Sequence, residues 1–306
     1  MAASRHILMG DPSFFAIRRG ANPHTRNRWG MKKRVDLGKA KAQWQEMVGI
    51  LQGYGVAVHV IPPHEEFPGL VFPANAGVVM DPEIPRPLNE RRYLLANLSP
   101  ARAMEQQIYR DFLQGLGLKT LCIQAQFEGE ADLTPWGDRW IFTYGPIKRN
   151  RWVPRFGIPP WRRIYGFRSS EGALPEIKNK LNLSDVMSLQ LSQEAFYHGD
   201  TVLCSFGPNR KFLMVYGAGL SPSSRKKIIG ERDVFWLDEA EAWNFAANSF
   251  PMFYRGNPLL FIPGGMSMGL RKQIEAKGIP TVPIQVSEFF EKGGGSVKCL
   301  IGDLGA

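Results

Sequence analysis

Gly and Pro cut the apolar residues of this chain into short runs, and that punctuation limits the fold more than any other feature. The 32 Gly and 23 Pro are spread along all 306 residues. Runs such as Ile7–Met9, Val56–Ile61 and Lys119–Ile123 suit strands of a few residues, and Phe14–Ile17 is a further apolar run. Leu70–Val79 is two such runs broken by the turn Pro73-Ala74-Asn75, where Asn75 serves either the turn or a site. None approaches the ~20 residues of a membrane span. Helical stretches stand between them. In Lys39–Gln52, Ala40, Trp44, Met47, Val48 and Leu51 recur at helical spacing, and Gly53 follows as a stop. Ser99-Pro100 offers an N-cap and a first-turn proline for a helix through Met104 and Ile108 to Leu113. Residues 132–143 read as a hairpin turning at Gly137-Asp138. The rhythm of strand pair, helix and strand returns several times, which predicts an α/β chain of small modules. At 44% hydrophobic residues the chain can bury a sizeable core.

Other classes drop out. The start, Met1 to Met9, lacks a hydrophobic signal core, and we read the chain as soluble and cytoplasmic, with no membrane contact. Cys122, Cys204 and Cys299 do not make a disulfide framework. Neither CxxC nor HExxH occurs, so no metal and no cofactor are expected. Gly264-Gly265 precedes a helix without the spacing of a dinucleotide fingerprint. The net charge of +10 raises nucleic-acid binding, yet it is concentrated. Residues 146–165 hold Lys148, Arg149, Arg151, Arg155, Arg162 and Arg163 and no acid. Trp152, Phe156 and Trp161 are interleaved, and Pro154, Pro159 and Pro160 suggest an extended loop. The segment fits either a solvated excursion that could also join copies of the chain, or a surface for RNA or an acidic partner.

The chemistry concentrates in three distant stretches. Phe196–Cys204 places His198 and Asp200 two residues apart in a strand-like run, where they share a face. Phe127–Asp132 supplies Glu128, Glu130 and Asp132, and Gly293-Gly294-Gly295 leads to Cys299. A thiol, an imidazole and carboxylates are the inventory for nucleophilic attack by cysteine on an electrophilic carbon. Cys122 and Cys204 sit in apolar runs, as small core residues do.

These stretches, with Asn22-Pro23, Gln43-Trp44, Leu70–Val79, Tyr165–Ser169 and Phe245–Asn248, resemble the guanidine-modifying enzymes of the pentein superfamily, in family order along nearly the whole chain. The resemblance implies a five-bladed α/β propeller of ββαβ modules around a central site. It implies a single catalytic domain over 1–306, with 146–164 as a basic, aromatic insertion. Phe72-Pro73-Ala74-Asn75-Ala76-Gly77 is similar to the bacterial arginine dihydrolase and dimethylaminohydrolase-like branch, with Asn75 where deiminases carry an aspartate. By the same resemblance Cys299 is the nucleophile, His198 the general acid/base and Glu128 its supporting acid, with Glu130 the competing choice. Asp200 and Asn75 would hold the guanidinium. Asp132, Asn22, Arg168 and Arg102 would complete the substrate site, and Asn248 is either a site residue or a cap. Where the family has two arginines at the start of its second helix, Leu98 replaces one and Arg102 stands for the other. The implied activity is hydrolysis of a guanidino compound through a covalent thiouronium. The alternatives are transfer of the amidino group to an amine and a binding role for the insertion.

Overall fold

The computed structural model describes residues 5–17, 22–27, 29, 31–155 and 158–306; between 149 and 165 it describes the strands alone. In chain order the elements are β1 (His6–Gly10), α1 (Leu37–Gly53), β2 (Ala57–Ile61), β3 (Gly77–Val79), β4 (Arg92–Leu95), α2 (Glu105–Gly115) and β5 (Lys119–Cys122). There follow β6 (Leu133–Trp136), β7 (Arg139–Tyr144), β8 (Arg149–Arg155), β9 (Ile158–Tyr165), α3 (Ala173–Leu181) and β10 (Val186–Gln190). Next come β11 (Leu203–Phe206), β12 (Phe212–Val215), α4 (Pro222–Ile228), β13 (Val234–Trp236) and α5 (Glu239–Trp243). The last are β14 (Phe250–Tyr254), β15 (Asn257–Pro263), α6 (Met268–Glu275), β16 (Thr281–Ile284), α7 (Ser287–Gly293) and β17 (Gly302–Gly305).

Five three-stranded sheets result, in the orders β3-β4-β5, β6-β7-β10, β11-β12-β13, β14-β15-β16 and β17-β1-β2. In each, the first strand runs antiparallel to the second and the second parallel to the third. A parallel neighbour needs a crossover, and one helix supplies it in every module. The sequence therefore reads as ββαβ, and the chain has the five-module α/β architecture expected of it. One module is split: β17 pairs with β1 and β2, so the strand after the nucleophile's turn completes the first sheet.

The inner strands are short and buried on both faces, as β11, β12 and β17 show throughout. The crossover helices bury one stripe. In α1, Ala40, Met47 and Leu51 face inward, and Asp36 caps the helix by accepting from the Lys39 amide. Each fully buried Met or Leu there contributes about 1.5–3 kcal/mol. Beneath the centre, ion pairs tie modules together. Arg5 pairs with Asp303 and, at 2.8 Å, with Glu83, which also takes Arg210.

Four local readings need correction. The helix expected from Ser99 begins at Glu105, after a run of turns. His198-Gly199-Asp200 is not in a strand: Gly199–Thr201 is a 3-10 turn, closed by the Thr201 hydroxyl on the His198 carbonyl, and β11 starts at Leu203. Cys299 likewise lies in a 3-10 turn, Lys298–Leu300, ahead of β17. The segment read as an insertion is not an extended loop but the β8–β9 hairpin, paired from Arg149↔Tyr165 to Arg155↔Ile158 with a shift of register between Val153 and Arg155. Its prolines fit because proline within sheets is confined to edge strands and bulges, and both strands of a two-stranded ribbon are edges.

Candidate active site

Turns between strands, rather than strands, deliver the reactive groups. A 3-10 turn carries Asn75, another spans Gly129–Ala131 just after Glu128, and those of His198 and Cys299 meet them. Gly129 allows the first two to touch. Its φ is +67°, and a Cβ there would stand 2.6 Å from the Gly77 carbonyl oxygen and 2.8 Å from that of Ala74.

His198 Nε2 lies 2.9 Å from Glu128 Oε2. A carboxylate only accepts, so Nε2 carries the proton and Nδ1 is the nitrogen left for exchange. Glu128 is 1% exposed, and its other oxygen accepts the Ser99 amide at 3.0 Å. Burial opposes ionisation of both groups. For Glu128 the hydrogen bond and charge of His198, with Arg168 and Arg102, outweigh burial and hold its pKa well below the usual carboxylate range. For His198 the Glu128 hydrogen bond and the charges of Asp132, Glu128 and Asp200 outweigh burial and raise the imidazolium pKa. Glu130 turns elsewhere. It pairs with Lys298 at 2.8 Å and accepts the Asp303 amide, and burial pushes it up to about 7.

Cys299 is 4% exposed, with Sγ 3.1 Å from Asp200 Oδ2. Asn248 holds its turn. The Asn248 Oδ1 accepts the amides of Ser296 at 3.0 Å and Cys299 at 3.1 Å. Its Nδ2 reaches the Asp200 carbonyl and Sγ, each at 3.1 Å. The asparagine left open between site and cap is thus both. Nothing local in the sequence signals this, because its partners lie about 50 residues away in either direction. Burial, then the Asp200 charge and hydrogen bond, push the Cys299 thiol well above the ordinary value of 9.0. In the free protein, thiolate ultraviolet absorbance that disappears in Cys299→Ala should therefore emerge only above pH 9.0, and guanidinium chloride should move it lower. A titration near neutrality without ligand would refute this.

Asp200 and Asp132 have different surroundings. Asp200 is not among the residues lining the cavity, but its Oδ1 is buried without a partner, an unused acceptor on the carboxylate that meets Sγ. Both oxygens of Asp132 are taken: Ser169 donates to one at 2.6 Å, and Thr143 and the Gly199 amide donate to the other at 2.7 and 2.9 Å. Asp132 does not line the cavity. With both oxygens engaged it ties the His198 turn to the glutamate motif. Ser169 also accepts the Glu128 amide, and the sequence singled it out only as the end of a matched stretch.

A cavity of about 500 Å³ opens over these groups. Cys299, His198, Glu128, Asn75, Asn22, Arg168 and Arg102 all line it, with Phe15, Phe67, Phe72 and Met104 as apolar wall. Asn22 donates to the Tyr197 hydroxyl and the Gly293 carbonyl, leaving Oδ1 without a partner. The Arg168 guanidinium stacks 4.9 Å from the centre of the Tyr197 ring. Asn75 Oδ1 accepts from Arg102 at 2.6 Å, while its Nδ2 is buried and unpartnered. Arg102 itself is paired with Glu105 at 2.7 Å. Leu98 is buried among apolar side chains. Among the described residues no group of three or more His, Cys, Asp or Glu could hold a metal ion, and no helix is long and apolar enough to cross a membrane.

No family model matches the chain. It is 26% identical over 298 residues to N(G),N(G)-dimethylarginine dimethylaminohydrolase of Mycobacterium tuberculosis, covering 97% of this chain and 84% of that protein. It is 28% identical over 306 residues to the bifunctional arginine dihydrolase/ornithine cyclodeaminase AgrE of Nostoc, covering 98% of this chain but 38% of that longer protein. In structure it is similar to the N-terminal domain of ArgZ, a cyanobacterial arginine dihydrolase, with a TM-score of 0.79 at 22% identity over 99% and 98% of the two chains. A dimethylarginine dimethylaminohydrolase adduct superposes at a TM-score of 0.68, 17% identity, over 98% and 99%.

Proposed function

We infer that this chain, a pentein-superfamily protein by its fold and its sequence likeness, is a cysteine-dependent hydrolase of guanidinium C–N bonds, acting on arginine or a related guanidino compound. The observation that carries the reading is the Cys299 thiol against Asp200, in one cavity with the His198–Glu128 pair.

The unpartnered oxygen of Asp200, next to the cavity-lining Cys299, is an acceptor for a guanidinium N–H. A cation bound there offsets the carboxylate charge that keeps Cys299 protonated, so substrate promotes formation of its own nucleophile. The thiolate forms a bond to the guanidinium carbon, and His198 protonates the departing ammonia. His198 then takes a proton from water, which adds to the thiouronium carbon. The C–S bond breaks, giving a ureido product.

Asn75 argues for a second round. Arginine is a donor only, so the bond from Arg102 fixes Oδ1 toward it and leaves Nδ2 as the group presented to the site. An N–H is of no use to a guanidinium, which also donates. It suits the oxygen of a ureido group and the oxyanion formed when Cys299 attacks that group. Loss of the second ammonia, hydrolysis and release of carbon dioxide then leave the amine. With arginine, two ammonia and one ornithine per molecule consumed are the expected yield, measured by ammonia assay and amino-acid analysis. Accumulated citrulline would refute the dihydrolase outcome, and no Cys299-dependent ammonia from any guanidino compound would refute the class.

In this reading the chain is one catalytic unit and the β8–β9 hairpin an excursion from it, because the hairpin's strands pair only with each other. Replacing residues 150–163 by a short glycine linker should leave kcat/KM for the guanidino substrate within about threefold of wild type. A larger loss would make the hairpin part of the site.

A further inference from the structure

We propose that Arg102 and Glu105 are positioning residues that hold the Asn75 amide with its N–H toward the reacting group, and so set whether the ureido product is hydrolysed again. The proposal rests on the two-round reading above.

The geometry is a relay of three side chains. Arg102 Nε and Nη2 both donate to Glu105 Oε2, at 2.9 and 2.7 Å. Nη2 also donates to the Gly69 carbonyl at 2.9 Å, and Nη1 donates to Asn75 Oδ1 at 2.6 Å. A guanidinium has five N–H groups, and these bonds commit four of them within the protein. What remains cannot form the paired fork by which arginine grips a carboxylate. Arg102 thus faces the cavity with most of its donors turned to the protein, and its contact on Asn75 is the one that reaches the reacting end of the site.

The relay is built tightly. Glu105 is 3% exposed and Asn75 equally buried. A Cβ at Gly69 would stand 2.4 Å from Glu105 Oε1 and 2.9 Å from Arg102 Nε, so only glycine lets that carbonyl close on the pair. Glu105 stands one turn after Arg102 and fixes the guanidinium plane; the plane fixes the amide.

The orientation matters because an amide has two opposite ends. Turned over, Asn75 would present an oxygen to the cavity. It would then accept from a guanidinium and repel a ureido oxygen. It would also set its NH2 against the N–H of Arg102, donor against donor. The relay thus selects the end that serves the second hydrolysis, at no cost to the Asp200 contact used in the first. Without it, the amide can turn, and the enzyme becomes better suited to the guanidinium than to the ureido group.

The test compares kcat/KM for citrulline with kcat/KM for arginine in wild type, in Arg102→Met/Glu105→Met, and in Glu105→Gln. The double substitution removes both charges together and keeps bulk, which a buried pair tolerates better than loss of one partner. The citrulline-to-arginine ratio should fall about tenfold or more in the double variant, with citrulline accumulating during arginine turnover. Glu105→Gln should lie between. A ratio within about twofold of wild type, both activities having fallen together, would overturn the proposal, because mere structural support weakens both steps alike. If the double variant does not fold, the ratio in Glu105→Gln, with its thermal melt recorded, decides alone. Wild-type protein that releases one ammonia and stops at citrulline would instead overturn the two-round reading and the proposal with it.

Discussion

Cys299→Ala should lower guanidino hydrolysis by about 10⁴-fold or more, the scale on which removing a covalent nucleophile acts. The fold should survive, since only one sulfur is lost and its turn is held by backbone bonds to Asn248. The other two thiols are controls. Burial pushes Cys204 up to about 12, and it lies in β11 with its sulfur against backbone carbonyls. Cys122 is half-buried in β5 beside Arg110. Neither lines the cavity. Cys204→Ala should therefore retain most activity per folded molecule. Measured ammonia release that persists in Cys299→Ala, or disappears in Cys204→Ala, would misplace the nucleophile.

Asn248→Ala should cost both stability and rate. It strips the acceptor from the buried amides of Ser296 and Cys299 and the donor from the Asp200 carbonyl. At about 1–3 kcal/mol for each buried group left unpaired, the loss is on the order of 3–5 kcal/mol after relaxation, read from denaturant unfolding. The turn of Cys299 loses its fixed distance from Asp200, and a shift of about 1 Å costs on the order of 100-fold in kcat/KM. Asn248→Asp separates the two effects. It keeps an oxygen for both amides, so stability should recover in part. It also sets a second carboxylate beside Asp200 and Sγ, raising the thiol pKa further. A folded but inactive Asn248→Asp is the expected result; an active one would reduce Asn248 to a cap.

The reach of the sequence followed the range of the interactions. Four of the five ββαβ modules are local, and their apolar runs, turns and helix stops are written in neighbouring residues, so the module rhythm was legible. Strand β4 was not, because Arg92–Leu95 follows a charged stretch and is only four residues long. A thiol, an imidazole and carboxylates in three stretches stood out by residue type, and the family resemblance assigned them candidate roles. Their supports did not stand out. Asn248 acts on Cys299 across 51 residues, and Ser169 on Asp132 across 37, through bonds that any asparagine or serine could make. Arg102 is the opposite case. Its partner Glu105 is three residues away, and an arginine three before a glutamate on a helix start is a neutralised pair before it is a ligand. The hairpin was misread through its prolines, which exclude a central strand but not a free-standing ribbon.

The strand β17, which completes the first sheet, bears on the order of events in folding. The turn of Cys299 ends two residues before β17, and β17 is held by β1, nearly 300 residues earlier in sequence. Contacts of such separation form late, because the chain entropy of closing so large a loop precedes any gain from them. Four modules can assemble with His198, Glu128, Asp200 and Asn75 already near one another, while the thiol is still carried on an undocked segment. Such an intermediate is chemically silent. Enzymatic competence in this architecture is thus a timestamp for completion of the first sheet, and it dates an event that the amount of helix and strand does not register.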